Sequence, residues 1–266
     1  MAVNRKSNEA WYSPPWLDEA LNLPEFKVLD TRSAQGRLDD RSKIVTITDL
    51  ILFHGHACDG LLRGAYAMRA LGDEIFKEKP FDRTDLSVIS KNSPCLGDVA
   101  AYLTGGRVRF GTHNLDDSLG VGYIVQRIST GDIWQVSEEE GFFPSNIGEW
   151  EKALLNGTRV SEAADDEEAK AELVSVNEAN QWDWVRRYLL PSKPSDHYKV
   201  KKLNNFVMPK PIYTARRTDV VNRNVKQPRE FTSPYKDISR PVMLTPENDI
   251  ASHWVDIYDA GPPEIN

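Results

Sequence analysis

Residues 53–64 read Phe53-His54-Gly55-His56-Ala57-Cys58-Asp59-Gly60-Leu61-Leu62-Arg63-Gly64, and one of the chain's two cysteines stands at their centre. The apolar residues Leu61, Leu62, Ala65, Met68, Leu71, Ile75 and Phe76 recur at i, i+3, i+4 spacing. That spacing predicts a buried amphipathic helix beginning just after Cys58. Ahead of it, His54, His56 and Cys58 alternate with a period of two. In an extended segment all three would project from one side. The other cysteine lies in Asn92-Ser93-Pro94-Cys95-Leu96-Gly97-Asp98. Ser93 suits an N-cap and Pro94 the first helical position, so Cys95 opens a second helix. Its apolar face is Val99, Ala100 and Leu103, and Gly105 can end it.

Outward from these two helix starts, residues 86–90 read as a strand. Residues 122–128 and 133–136 read as a hairpin around Ser129-Thr130-Gly131-Asp132. Residues 149–155 and roughly 162–190 are expected to be helical, with a break near 174–177. Helices alternating with strands, and one clear hairpin, favour an α+β core with helices packed on an antiparallel or mixed sheet. We divide the chain into an N-terminal arm (1–45), a core with its following helices (46–190) and a proline-rich basic C-terminal extension (191–266). The arm is expected to dock through Trp11 and Trp16, with at most a short helix near 17–21.

A chain of 266 residues can bury a real core, and 40% hydrophobic with 27% charged residues is ordinary for a globular protein. The net charge of −7 argues against general nucleic-acid affinity. Residues 193–230 depart from it locally, with ten Lys and Arg against three Asp and Glu; a solvated extension or an arm on a partner subunit is the expected reading. No apolar run approaches a membrane span, and none follows Met1–Ser7 as a signal peptide requires. Two cysteines make no disulfide framework, so a cytoplasmic location is expected.

Chemistry concentrates at the cysteines. Free N–H groups at a helix start favour thiolate, which is both the better nucleophile and the better metal ligand. Thiolate with imidazole suits zinc or another borderline divalent ion. Asp98, one turn after Cys95, can share its helix face as an outer acceptor, a ligand or a proton acceptor. Cys58 and Asp98 are therefore the catalytic candidates. Either cysteine alone reads first as a small buried hydrophobe; two such motifs, with His54 and His56 beside the first, point towards a site. His113 reads as a loop residue near the cleft, and His197 and His253 as surface residues.

The block from Phe53 to Gly64 resembles the F-H-G-H-x-C-P-G-L-x-x-G signature of the FmdE family, whose name comes from a component of formylmethanofuran dehydrogenase. The block from Asn92 to Asp98 resembles its N-x-x-C-x-x-D segment. Leu103-Thr104-Gly105-Gly106-Arg107 and Phe110-Gly111-Thr112-His113-Asn114-Leu115 resemble the stretches that follow. The resemblance covers about residues 46–140. It implies an α+β core, often dimeric, with a metal cleft whose ligands here are His54, His56, Cys58 and Cys95, and with Asp98 nearby. Asp59 stands where the family has proline, and Gly106 where it often has cysteine. No cysteine follows Cys95, which excludes the C-terminal zinc finger of some members.

Two classes of function stay open. One is a metal-dependent or thiol redox protein acting on a small molecule. The other is a metal-binding accessory protein for a partner enzyme. A homodimer is expected in either case.

Overall fold

The computed structural model describes residues 12–30, 41–77, 79–108, 111–155 and 167–209. Among the described residues six helices, α1 Ile47–His54, α2 Asp59–Phe76, α3 Pro94–Thr104, α4 Ser145–Leu155, α5 Glu167–Trp184 and α6 Pro194–His197, pack with two mixed sheets. The small sheet joins β1 (Phe26–Leu29) to β2 (Lys43–Val45) antiparallel and to β3 (Phe81–Asp82) parallel. The larger sheet has the order β5-β4-β6-β7-β8, formed by His113–Leu115, Leu86–Ser90, Gly122–Arg127, Ile133–Glu138 and Tyr198–Leu203. Only the β4–β5 pairing in it is parallel.

α2 is the axis of the core. Leu61, Leu62, Ala65, Met68, Leu71 and Phe76 are buried, as their spacing predicts, while Ile75 of the same set is only partly buried. The helix lies on the sheet face that carries Val88, Tyr123, Val125 and Val136. The opposite face holds a smaller cluster of Ile89, Ile124 and Ile133. The expected hairpin forms with Gln126 opposite Ile133. Its turn is fixed by a positive φ of 75° at Gly131 and by Asp85, which accepts from the Ser129 N–H at 2.7 Å.

The apolar run before the histidines is helical, not extended. Thr46 and Asp49 form a capping box: the Thr46 N–H donates to Asp49 Oδ2 at 2.8 Å, and the Asp49 N–H to Thr46 Oγ1 at 3.3 Å. The helix ends at Gly55, whose φ of 107° is open to glycine and strained for other residues. His54 therefore closes α1 while Cys58 caps α2, and the period-two alternation does not describe their geometry.

Three further expectations change. α5 runs without a break through residues 174–177, where Asn177 is buried. The irregularity comes later, as a π turn over Val185–Leu189 that buries Trp184, Val185 and Leu189. Beyond residue 191 the chain adds α6 and then β8, which pairs along β7 from Ile133↔Leu203 to Glu138↔Tyr198. The N-terminal stretch contributes β1 and buries Leu17, Phe26 and Val28 in the main core, with Trp16 edge-on to Trp182 at 5.5 Å. Trp11, His253 and most of the basic stretch lie outside the described residues.

Candidate metal centre

Three helix ends meet at the cysteines. Cys58 is the N-cap of α2, and its Sγ accepts the Leu61 N–H at 3.3 Å. Cys95 follows Pro94 in the first turn of α3. α3 can reach α2 because Gly60 has no side chain: a Cβ there would lie 3.1 Å from Cys95 Sγ. The two sulfurs stand 3.4 Å apart. Two thiolates on one tetrahedral ion with bonds near 2.3 Å stand about 3.8 Å apart, so the observed spacing needs only a few tenths of an ångström.

His54 completes the corner from the end of α1. Its Nδ1 is 2.8 Å from Asp98 Oδ2, and its Nε2 is 3.8 Å from Cys58 Sγ. With Asp98 accepting the Nδ1–H, Nε2 keeps its lone pair for a ligand. The His56 ring lies beside that of His54, 4.6 Å between centroids, and is solvent-exposed. The ligand atoms of His54, His56 and Cys58 lie within 4.8 Å of one another, an arrangement able to hold a metal ion. The donor set of imidazole and thiol is the soft-to-borderline kind that suits zinc better than magnesium or calcium.

The sulfur pair shares its protons unevenly. The hydrogen bond from Cys58 lowers the Cys95 pKa to about 7, with the charge of His54 helping. The same bond, together with burial, pushes the Cys58 thiol far up. The pair therefore favours Cys95 over Cys58 as the sulfur that ionises first.

Behind the centre, Asp59 is buried and held by Arg63 at 3.3 Å. Arg63 forks onto Glu138 of β7 at 2.6 and 2.9 Å and lies over the Phe143 ring at 3.9 Å. Glu138 also accepts from the Tyr198 hydroxyl of β8 at 3.0 Å. Burial raises the Asp59 carboxyl, with Arg63 opposing it. The family's proline position is thus occupied here by one end of a buried charge network.

The other two histidines among the described residues stay apart. His113 lies in β5 rather than a loop and is buried, with its Nε2 2.9 Å from Ser90 Oγ. The Ser90 hydroxyl donates to the Lys91 carbonyl at 3.0 Å, so His113 is the N–H donor of the pair. Burial, then Arg107, lowers its pKa. His197 stacks on Phe142 at 3.8 Å and 9°. Sequence reasoning passed over Tyr123, which is fully buried on the face of the sheet that meets α2 and α3. The signal for it was Gly60 and Gly64, four apart in an otherwise apolar helix face.

An α+β fold with a Cys/His corner at three helix ends is the class these observations define. The family model described as FmdE, Molybdenum formylmethanofuran dehydrogenase operon, matches residues 53–191, and the chain belongs to the FmdE family. No curated protein matches it. Among solved structures, a tungsten formylmethanofuran dehydrogenase FmdE-like protein from Syntrophus aciditrophicus matches with 14% identity and a TM-score of 0.33, over 61% of this chain and 74% of that one. Among the described residues, no helix is long and apolar enough to cross a membrane.

Proposed function

We propose that His54, His56, Cys58 and Cys95 hold one divalent metal ion, zinc by the donor set, and that a small molecule is transformed at it. The observation that carries this reading is the 3.4 Å approach of Cys58 and Cys95 across 37 residues, with His54 Nε2 turned to the same corner by Asp98. His56 is exposed, so one side of the centre opens to solvent, where a substrate can reach the ion. When bound, the metal supplies Lewis acidity at that open side. The residues' own work is to present Nε2 and two sulfurs, to keep Asp98 as acceptor for the His54 proton, and to hold Cys95 as thiolate. The same two thiols admit redox chemistry if the ion is absent. Two thiols kept reduced for this role would place the protein in the cytoplasm.

A second reading, delivery of the ion to a partner enzyme, rests on the surface beside the centre. Leu52 and Phe53 of α1 are 58% and 52% exposed next to the exposed His56. A homodimer covering this face belongs to the same proposal.

Elemental analysis of the purified protein tests the centre. About one zinc ion per chain is expected, lost in Cys58→Ser and Cys95→Ser and retained in His113→Ala. Unchanged metal content in both serine variants overturns the reading. Light scattering checks the dimer, and a stable monomer at micromolar concentration removes it.

A further inference from the structure

Tyr123 of β6 is fully buried, and its hydroxyl has no hydrogen-bond partner among the described residues. The hydroxyl fits against α2 where Gly64 lacks a side chain. A Cβ at Gly64 would lie 2.6 Å from the Tyr123 oxygen and 3.0 Å from Leu96 Cδ2. One turn earlier on the same face of α2, a Cβ at Gly60 would lie 3.1 Å from Cys95 Sγ. The two glycines therefore line a single seam between α2 and α3, with the Cys95 sulfur at its mouth and the phenol one turn deeper. Burial, then the charge of Cys95, raises the phenol well above its ordinary range, so it stays a donor.

Both features carry a standing cost. A buried hydroxyl without a partner costs about 1–3 kcal/mol, and glycine inside a helix about 0.5–1 kcal/mol. An orphan buried group asks for a partner, and a loaded centre is one state that can supply it.

Cys95 is that partner by chemistry. In the metal-free centre its sulfur lies 3.4 Å from Cys58 Sγ, within reach of one hydrogen bond between the two thiols. Metal binding requires thiolate at both cysteines, so the S–H hydrogen bond between them is lost to Cys95. The Tyr123 hydroxyl is the unused donor on the same seam.

We propose that Tyr123 is a positioning residue for the metal centre: once the centre is loaded, its hydroxyl donates a hydrogen bond to the Cys95 thiolate, directly or through one water. The proposal rests on the metal reading above. A hydrogen bond to a thiolate withdraws electron density from the sulfur and fixes its direction, which tunes the ion and the order of the site.

The test uses the full-length protein loaded with cobalt(II), whose thiolate charge-transfer absorption reports sulfur donor strength. In Tyr123→Phe this band is expected at longer wavelength than in the wild type, with cobalt held on the order of tenfold more weakly. The metal-free variant is expected to unfold at the same denaturant concentration as the wild type or a higher one, which separates positioning from a structural role. If the wild type shows no thiolate band, the metal reading itself fails. If the wild type shows it and the variant's band and affinity are identical, the metal reading stands and the Tyr123 proposal is overturned. Should the variant not fold, zinc titration of the wild type decides: a shift of tyrosine near-ultraviolet absorption on loading supports the bond, and a flat difference spectrum overturns it.

Discussion

Asp98 Oδ2 lies 2.8 Å from Nδ1 of His54, and this one bond decides which nitrogen of the ring faces the Cys58 sulfur. Asp98 is 37% exposed while the His54 side chain is 4% exposed, so the acceptor stands at the rim and the candidate ligand inside. Asp98→Asn should keep the fold and weaken zinc binding about 10- to 100-fold, read by competition with a chromogenic chelator. Wild-type affinity in Asp98→Asn would assign the orientation of His54 to packing alone.

With the Cys95 pKa lowered to about 7 by the Cys58 hydrogen bond, metal-free protein should alkylate first at Cys95, with a midpoint near neutral pH. Cys58 should lag well behind it, since the bond to Cys95 and burial both raise its thiol. Mass spectrometry of iodoacetamide-treated protein across a pH series measures both. Zinc should protect the two sites together, and equal rates at both cysteines would break the asymmetry of the pair.

Gly60 is where α3 reaches α2, and Gly60→Ala sets a Cβ 3.1 Å from Cys95 Sγ and 3.2 Å from Cys95 Cβ. Overpacking of this kind costs about 1–3 kcal/mol, against a helix-propensity gain of about 1 kcal/mol. The variant should lose more in metal affinity than in unfolding midpoint, because the displaced atom is a proposed ligand. A calorimetric scan beside a zinc titration compares the two.

Arg63 stands between the buried carboxylates of Asp59 and Glu138. Arg63→Met leaves both without their counter-charge and should destabilise the protein by about 3–5 kcal/mol. Adding Glu138→Gln should recover part of that loss. Urea unfolding of the single and double variants measures the coupling.

His113 is held neutral by burial and by Arg107, with Asp98 opposing. The unfolded chain therefore takes up this proton more readily than the folded one. The contribution is fully present above the ordinary imidazole value of about 6.5 and is lost as pH falls towards the lower folded value. His113→Gln should flatten that part of the decline in a urea midpoint series, and an unchanged slope would show that His113 is not its source.

Much of this architecture was legible in the chain. α2 announced itself through the spacing from Leu61 to Phe76, and α3 through Ser93, Pro94 and Gly105, because caps and periodicity are local physics. α1 was not seen because Leu50–Phe53 is too short an apolar run to distinguish helix from strand by pattern; the Thr46…Asp49 capping box was the signal that decides it. The pairing of Cys58 with Cys95 was foreseeable only as a coincidence of motifs. What realises it is Gly60, whose missing side chain matters through a tertiary approach that no window of sequence displays. β8 escaped because Lys199, Lys201 and Lys202 make it look like solvated chain, whereas an edge strand tolerates such residues along its open side.

The bond between Tyr198 and Glu138 sets the shortest piece of this protein worth expressing. A fragment trimmed where the family match ends, at residue 191, keeps every candidate ligand but forfeits β8 and the hydroxyl that steadies Glu138. Glu138 holds Arg63, Arg63 holds Asp59, and Asp59 follows Cys58 directly. Trimming the chain there would loosen the metal corner from the rear, and the cut belongs after Leu203 instead.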